Sequence, residues 1–263
     1  MVWPKKFNSY YPALYYIKCI MTTKNAKDYI ALALDNADDA DALKNLVADT
    51  TEHVGVYKLG LEQFTRFGPR VLDLVRGADR KIFLDLKFHD IPNTVEKAVR
   101  AACEHGVDYL TIHTQGGAEM MIAASAATAR AARRPKILGV TLLTSIDQTM
   151  LNSDLGVPLP TGKYVLHLAQ KAVTAGIDGL VCSAADLEMI KPAVPRNFEI
   201  VTPGIRPAGT DTNDQKRVAT PEWAIKNGAT LLVIGRPITG AANPGKAAEE
   251  IAKCVESTLA SPQ

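Results

Sequence analysis

Charged side chains in this chain collect where short apolar runs end. Asp85 and Lys87 stand two residues apart in the run 81–87 (KIFLDLK), and Asp90 follows three residues later. Alternate residues of a strand share a face, so the two charges share one side while Leu84 and Leu86 take the other. A carboxylate and an ammonium buried together can be a plain structural ion pair, since burying either one alone is costly. Two further charges point beyond that. Asp35 ends the run 29–34 (YIALAL), and Lys58 lies in the run 54–60 (VGVYKLG). Four charges of alternating sign converging on one place keep one another ionised, whereas a structural bridge needs only two. Elsewhere, Pro203-Gly204-Ile205-Arg206 and Gly235-Arg236 pair glycines with arginines. Glycine lets an anion approach backbone N–H groups, and arginine offers a planar fork to phosphate oxygens. Taken singly each arginine could be an ordinary surface residue; together they suggest a phosphorylated small molecule handled beside a fixed charge array.

These residues need a scaffold that brings run ends together. From residue 29 onward, runs rich in aliphatic and β-branched residues alternate with amphipathic, alanine-rich stretches, the pattern of repeated βα units. The remaining runs are 107–113 (VDYLTIH), 136–143 (KILGVTLL), 177–183 (IDGLVCS), 198–203 (FEIVTP) and 229–235 (ATLLVIG), which makes eight in all. Val95, Val99 and Ala102 form one helical stripe and Ala247, Ile251 and Val255 another. Gly106 and Gly176 follow two such helices, where a left-handed residue is needed. Eight units without a linker predict a single (β/α)8 TIM barrel, an α/β fold, over residues 28–263. A doubly wound sheet is less well matched, because no G-x-G-x-x-G follows the first run. In a barrel, function gathers at the C-terminal strand ends, where the sequence puts Asp35, Lys58, Asp85, Lys87, Asp90, His113, Thr144, Ser145, Arg206 and Arg236. The longer loops 144–162 and 204–220 are placed to cover such a site.

Composition narrows the function classes. Thirty Lys and Arg against 28 Asp and Glu leave a formal charge of +2, far from the basic balance of a nucleic-acid binder. Cys19, Cys103, Cys182 and Cys254 form no C-x-x-C, and the histidines form no H-E-x-x-H or H-x-H. No metal site is therefore expected, and reduced cytoplasmic thiols are the default. Residues 1–27 stand apart. Lys5 and Lys6 precede an apolar stretch, but Pro12 and Lys18 interrupt it and no small-x-small cleavage site follows. The stretch is too short to span a membrane. It is expected to be a flexible extension or the product of a start placed ahead of Met21.

The run Asp85-Leu-Lys87-Phe-His-Asp90-Ile91-Pro92-Asn-Thr94-Val95 resembles the D-x-K-x-x-D-I-P-x-T-V motif of the orotidine 5′-phosphate decarboxylase family, bacterial-type branch. ALALD, YKLGLEQF, VTLLTS, VTPGIR, NDQKRVATP and VIGRPIT match further family segments in order, from about residue 28 to about 257. The resemblance implies a homodimeric enzyme, without cofactor or metal, that removes CO2 from C6 of orotidine 5′-phosphate to give UMP. It implies that Lys87 stabilises and protonates the C6 carbanion, that Asp85 lies beside the substrate carboxylate, and that Lys58 and Asp35 complete the network and contact the ribose. Asp90 is implied to reach into the partner's site across the dimer, and Ile91 and Thr94 are implied to bind substrate. Thr144 and Ser145 would read the pyrimidine edge, and Gln215, Gly235 and Arg236 would hold the phosphate. Arg206, after Pro203, would begin a loop that closes over it. Neither nucleic acid nor membrane is an expected partner. A related group of Mg2+-dependent sugar-phosphate barrels shares D-x-K-x-x-D but has an acidic ligand where this chain has Lys58. A non-catalytic phosphate-binding barrel would keep Gly235 and Arg236 and lose Lys87 or Asp85.

Overall fold

In the computed structural model, the described residues are 24–35, 39–207 and 219–261. Most of the 1–27 extension, and Gln215, lie outside them. Eight parallel strands close into a barrel in sequence order: β1 (Ile30–Ala33), β2 (Val56–Gly60), β3 (Lys81–Phe88), β4 (Tyr109–His113), β5 (Lys136–Val140), β6 (Gly179–Val181), β7 (Glu199–Thr202) and β8 (Leu231–Ile234). β1 pairs with both β2 and β8, which completes the closure. Every expected run holds one strand. The helices around it are α1 (Ala40–Thr50), α2 (Leu61–Phe67), α3 (Val71–Arg76), α4 (Pro92–Glu104), α5 (Gly117–Ala127), α6 (Gln148–Ser153), α7 (Thr161–Thr174), α8 (Leu187–Ile190), α9 (Pro221–Lys226), α10 (Arg236–Thr239) and α11 (Pro244–Ala260). None of the described helices is long and apolar enough to cross a membrane.

Alternation along the strands divides the apolar residues into two layers. Ala31, Val56, Phe83, Tyr109, Leu138, Val201 and Leu231 fill the lumen, while Ile30, Leu32, Leu84, Leu110 and Ile112 face outward onto the helices. Helix α4 buries Val95, Val99 and Ala102, as its spacing predicts. On α11 the buried stripe is Ala248, Ile251 and Val255, one residue on from the expected start at Ala247; this i, i+3, i+7 spacing fits the helical repeat equally well. Asp39 and Asn243 cap α1 and α11 by accepting from Ala42 N–H (2.7 Å) and Lys246 N–H (2.9 Å). Gly106 and Gly176 have φ of 65° and 74° just past α4 and α7, the left-handed turn expected there.

The N-terminal ends of the strands are tied by side chains that finish the backbone ladder. Asp108 accepts from Ile82 N–H and Asp178 from Ile137 N–H, both at 2.8 Å. Lys24 donates to the Thr230 carbonyl and lies 4.3 Å from the centre of the Tyr29 ring, so residues just ahead of β1 pack onto this end. With the polar groups of that end committed to the ladder, the strand ends opposite are left to carry chemistry.

Gly179 marks a close approach of two neighbouring strands. A Cβ there would stand 2.6 Å from both Glu199 Cβ and the Glu199 carbonyl oxygen on β7, a backbone contact that no rotamer change relieves. Gly179→Ala should therefore cost about 1–3 kcal/mol, read as a lower urea midpoint with an unchanged m-value.

Candidate functional site

Four of the charges singled out from the sequence meet at the C-terminal mouth of the barrel. Lys58, on β2, reaches both oxygens of Asp35 at 3.3 Å and Asp85 Oδ2 at 3.6 Å. Lys87 Nζ donates to the same Asp85 oxygen at 2.8 Å. The order Asp35, Lys58, Asp85, Lys87 thus forms a chain of alternating charge, with Asp85 at its centre and only 8% exposed. Strand neighbours explain the convergence: Gly60 pairs with Asp85, and the Leu34 N–H donates to the Lys58 carbonyl. Gly60 also makes room, because a Cβ there would lie 3.2 Å from Asp35 Oδ1 and 3.3 Å from Lys58 Nζ.

Simple alternation does not account for Lys87. Between Leu84 and Phe88 the β3 register slips against β4, four residues on β3 spanning two on β4. Lys87 takes up the slack at φ 50°, a left-handed conformation that costs a non-glycine residue about 1–3 kcal/mol. Its N–H is held by Thr111 Oγ1 at 2.9 Å, and the same hydroxyl donates to Asp85 Oδ1, also at 2.9 Å. Thr111 was not among the residues expected from sequence. The available signal was its place two residues before His113, on the lumenal side of β4.

Burial alone would raise the Asp85 pKa, but the Lys58 and Lys87 ammoniums and the hydrogen bonds from Lys87 and Thr111 outweigh it and hold the carboxyl below its ordinary value of 3.8. Asp85 is therefore a carboxylate at any physiological pH, and it keeps an ammonium aimed into the mouth. Above the charges lies a cavity of about 220 Å3 lined by Lys58, Asp85, Lys87 and Thr144 with Val140, Leu142, Val181 and Val233. Its wall is largely apolar, so a flat, weakly polar ring would fit beside the charges. A hollow of about 100 Å3 adjoins it through Pro203 and Val233 and is lined by Gly204, Arg206, Gly235 and Arg236. The two halves of the expected site are thus neighbouring hollows that share a wall.

The remaining expected residues fall elsewhere. Ser145 is exposed beside Thr144, and Gln215 is outside the described residues. Asp90, Ile91 and Thr94 are exposed and line neither cavity; Asp90 accepts from the Ile91 N–H at 2.7 Å. A larger hollow, about 630 Å3, opens at the opposite end of the barrel. Its arginines are committed locally: Arg76 to Asp73, Arg80 to the Thr51 carbonyl and Arg133 to Asp108. Among the described residues no group of three or more His, Cys, Asp or Glu could hold a metal ion.

The model of the orotidine 5′-phosphate decarboxylase / HUMPS family matches residues 28–251. The orotidine 5′-phosphate decarboxylase of Moorella thermoacetica is 45% identical over 250 residues, covering 93% of this chain and 98% of the relative. That of Thermobifida fusca is 45% identical over 234 residues, covering 89% and 98%. A crystal structure of the orotidine 5′-phosphate decarboxylase from Lactobacillus acidophilus aligns with TM-score 0.75 at 35% identity, over 86% of this chain and 98% of that one.

The buried hub gives a direct test. Asp85→Asn leaves Lys87 without its carboxylate and Lys58 with Asp35 alone, and should lower stability at pH 7 by about 3–5 kcal/mol. A depressed carboxyl stabilises the fold above its unfolded pKa and loses that contribution as pH falls through the folded value. The difference between parent and variant should therefore be full at pH 7 and shrink below about pH 4. Urea unfolding at several pH values reads both; a difference independent of pH would contradict the assignment.

Proposed function

The chain belongs to the orotidine 5′-phosphate decarboxylase / HUMPS family, and from that premise we propose that it decarboxylates orotidine 5′-phosphate to UMP and CO2 in pyrimidine biosynthesis, as a carboxy-lyase using neither cofactor nor metal. The observation that carries this reading is the Lys87 ammonium, 2.8 Å from a carboxylate that is itself 3.6 Å from a second ammonium, all facing the cavity. Loss of CO2 from C6 leaves an electron pair that the pyrimidine ring cannot delocalise. A positive charge already fixed at that position stabilises it without reorganisation. Lys87 supplies the charge and then donates an Nζ proton to C6.

Asp85 sits beside the departing carboxylate and holds Lys87 in place. Lys58 and Asp35, the latter at the open edge of the network, bind the ribose hydroxyls. Thr144, with Ser145 next to it, reads the pyrimidine edge in the apolar cavity. Gly235, Arg236 and Gln215 hold the phosphate, and Arg206, 7% exposed, anchors the loop that follows. Asp90 serves the partner's site in a homodimer and Ile91 and Thr94 bind substrate, which agrees with the exposure of Asp90 and with the neighbouring Ile91 being an apolar side chain 65% exposed. The metal-dependent chemistry of related sugar-phosphate barrels is disfavoured by Lys58. Its ammonium lies within 3.6 Å of Asp35 and Asp85, the oxygen ligands that a divalent cation would need.

Orotidine 5′-phosphate should lose its absorbance with purified protein at the same rate with and without EDTA. Lys87→Ala should remain folded and slow the reaction by about 10²-fold or more. Turnover that EDTA abolishes, or that survives in the variant, would overturn the reading. The shared site is tested by mixing inactive Asp90→Ala and Lys87→Ala proteins, since a heterodimer restores one intact site. Activity should return on subunit exchange; proven exchange without activity would remove Asp90 from the partner's site.

A further inference from the structure

His113 ends β4 in the lumenal register, next above Thr111. No role falls to it in the chemistry above, yet it is packed where that chemistry is positioned. Its ring lies against the ring of His89, centroids 5.3 Å apart and planes inclined by 36°. His89 belongs to the three-residue connection between β3 and α4 that also holds Asp90. Gly116 leaves room for His89: a Cβ at Gly116 would stand 3.2 Å from His89 Cδ2 and would also collide with Met120. The His89 side chain, though exposed, thus rests against both the end of β4 and the start of α5. Immediately before it, Lys87 adopts the left-handed turn that aims its ammonium. The residues from 87 to 90 are therefore anchored at one end by the Thr111 hydroxyl and at the other by the histidine stack.

We propose that His113 is a positioning residue, its neutral ring fixing through His89 the segment that aims Lys87 and presents Asp90. The role in turnover rests on the function proposed above. Neutrality matters because of what surrounds the ring. The titratable groups acting on it are His89, Lys87 and Asp85. Burial pushes its pKa below the ordinary 6.5, His89 and Lys87 push the same way, and Asp85 opposes them. Its Nδ1 is buried with no hydrogen-bond partner among the described residues. A proton there would be an unsatisfied donor. An imidazolium would also place another cation beside Lys87 and compete for Asp85.

Two substitutions separate the ring from its titration. His113→Ala removes the stack and should lower kcat by about 10²-fold, because small misplacements of reacting groups are that costly, with a smaller change in KM. His113→Phe keeps a ring against His89 and cannot ionise. It should restore most of kcat and flatten the acid limb of the kcat pH profile below pH 6.5, where the parent declines as His113 takes a proton. A second measurement needs no substrate. Amide hydrogen exchange across residues 88–91 should quicken in His113→Ala and remain parent-like in His113→Phe. Acid should quicken it in the parent beyond the intrinsic pH effect, and not in His113→Phe. Parent-like kcat and exchange in His113→Ala would overturn the proposal, as would a His113→Phe protein as impaired as the alanine variant. If the parent itself releases no CO2, the proposed function fails, and exchange across 88–91 alone upholds or overturns the positioning.

Discussion

The carboxylate of Asp85 is the constraint to which the rest of the mouth answers. A charge 8% exposed is tolerable only when its neighbours replace the water it has lost. Here two ammoniums and one hydroxyl do so, from β2, β3 and β4. β2 and β3 place Lys58 and Asp85 at neighbouring heights because their register is unbroken from Val56 to Gly60, and β4 keeps step with β3 as far as Leu84 before the slip brings Thr111 against Asp85 and Lys87. The apolar lumen below, with Phe83 and Tyr109 packed at 5.8 Å between ring centres, holds those strands apart and keeps water from reaching the charges from beneath. Fold and electrostatics are therefore one problem. An Asp–Lys pair needs a closed, dry barrel to be strong, and the barrel needs the pair neutralised to remain closed.

The second constraint is local. A regular β3 would carry Asp85 and Lys87 past one another on parallel Cα–Cβ directions, which suits a salt bridge but gives the lysine no freedom to lean over the cavity. The register slip and the positive φ at Lys87 spend backbone energy to redirect that one side chain. Thr111 makes the distortion tolerable by satisfying the displaced N–H while also bonding the carboxylate. Strain at a residue whose side chain meets the cavity, in a chain whose other described positive-φ positions are glycines and Asp79, fits a preorganised group better than an accident of packing.

How far the sequence disclosed this follows from the physics of each signal. Strand and helix periodicities are imposed by burial over many residues, so eight runs and the α4 stripe were legible from hydrophobic spacing. The charges were legible because ionised side chains in apolar runs have few reasons to be there. The slip in β3 was not, because it depends on how β3 fits β4, and no residue in DLKF advertises it as an asparagine or glycine would. Thr111 was overlooked for a similar reason: a threonine inside a strand is ordinary until its neighbour is known to have a displaced N–H. The α11 stripe shifted by one because Ala247 and Ala248 are chemically identical, and only the helix's rotation against α9 and α1 selects between them.

The two hollows meet at residues with no charge at all. Pro203 and Val233 border both the charged cavity and the arginine-lined hollow, so a ligand spanning them must pass over an apolar waist. Arg206 at the far end is buried, with its Nε lacking a hydrogen-bond partner among the described residues. A buried guanidinium with an unused donor gains more from an anionic oxygen than an exposed one would. Under the proposed reaction, the phosphate is where that gain is realised, while the bond that breaks is at the Lys87 end. Binding energy collected at a non-reacting group can be applied to holding the reacting one against fixed charges. The apolar waist allows this, because it passes position from one end to the other without offering the ligand an alternative polar resting place between them.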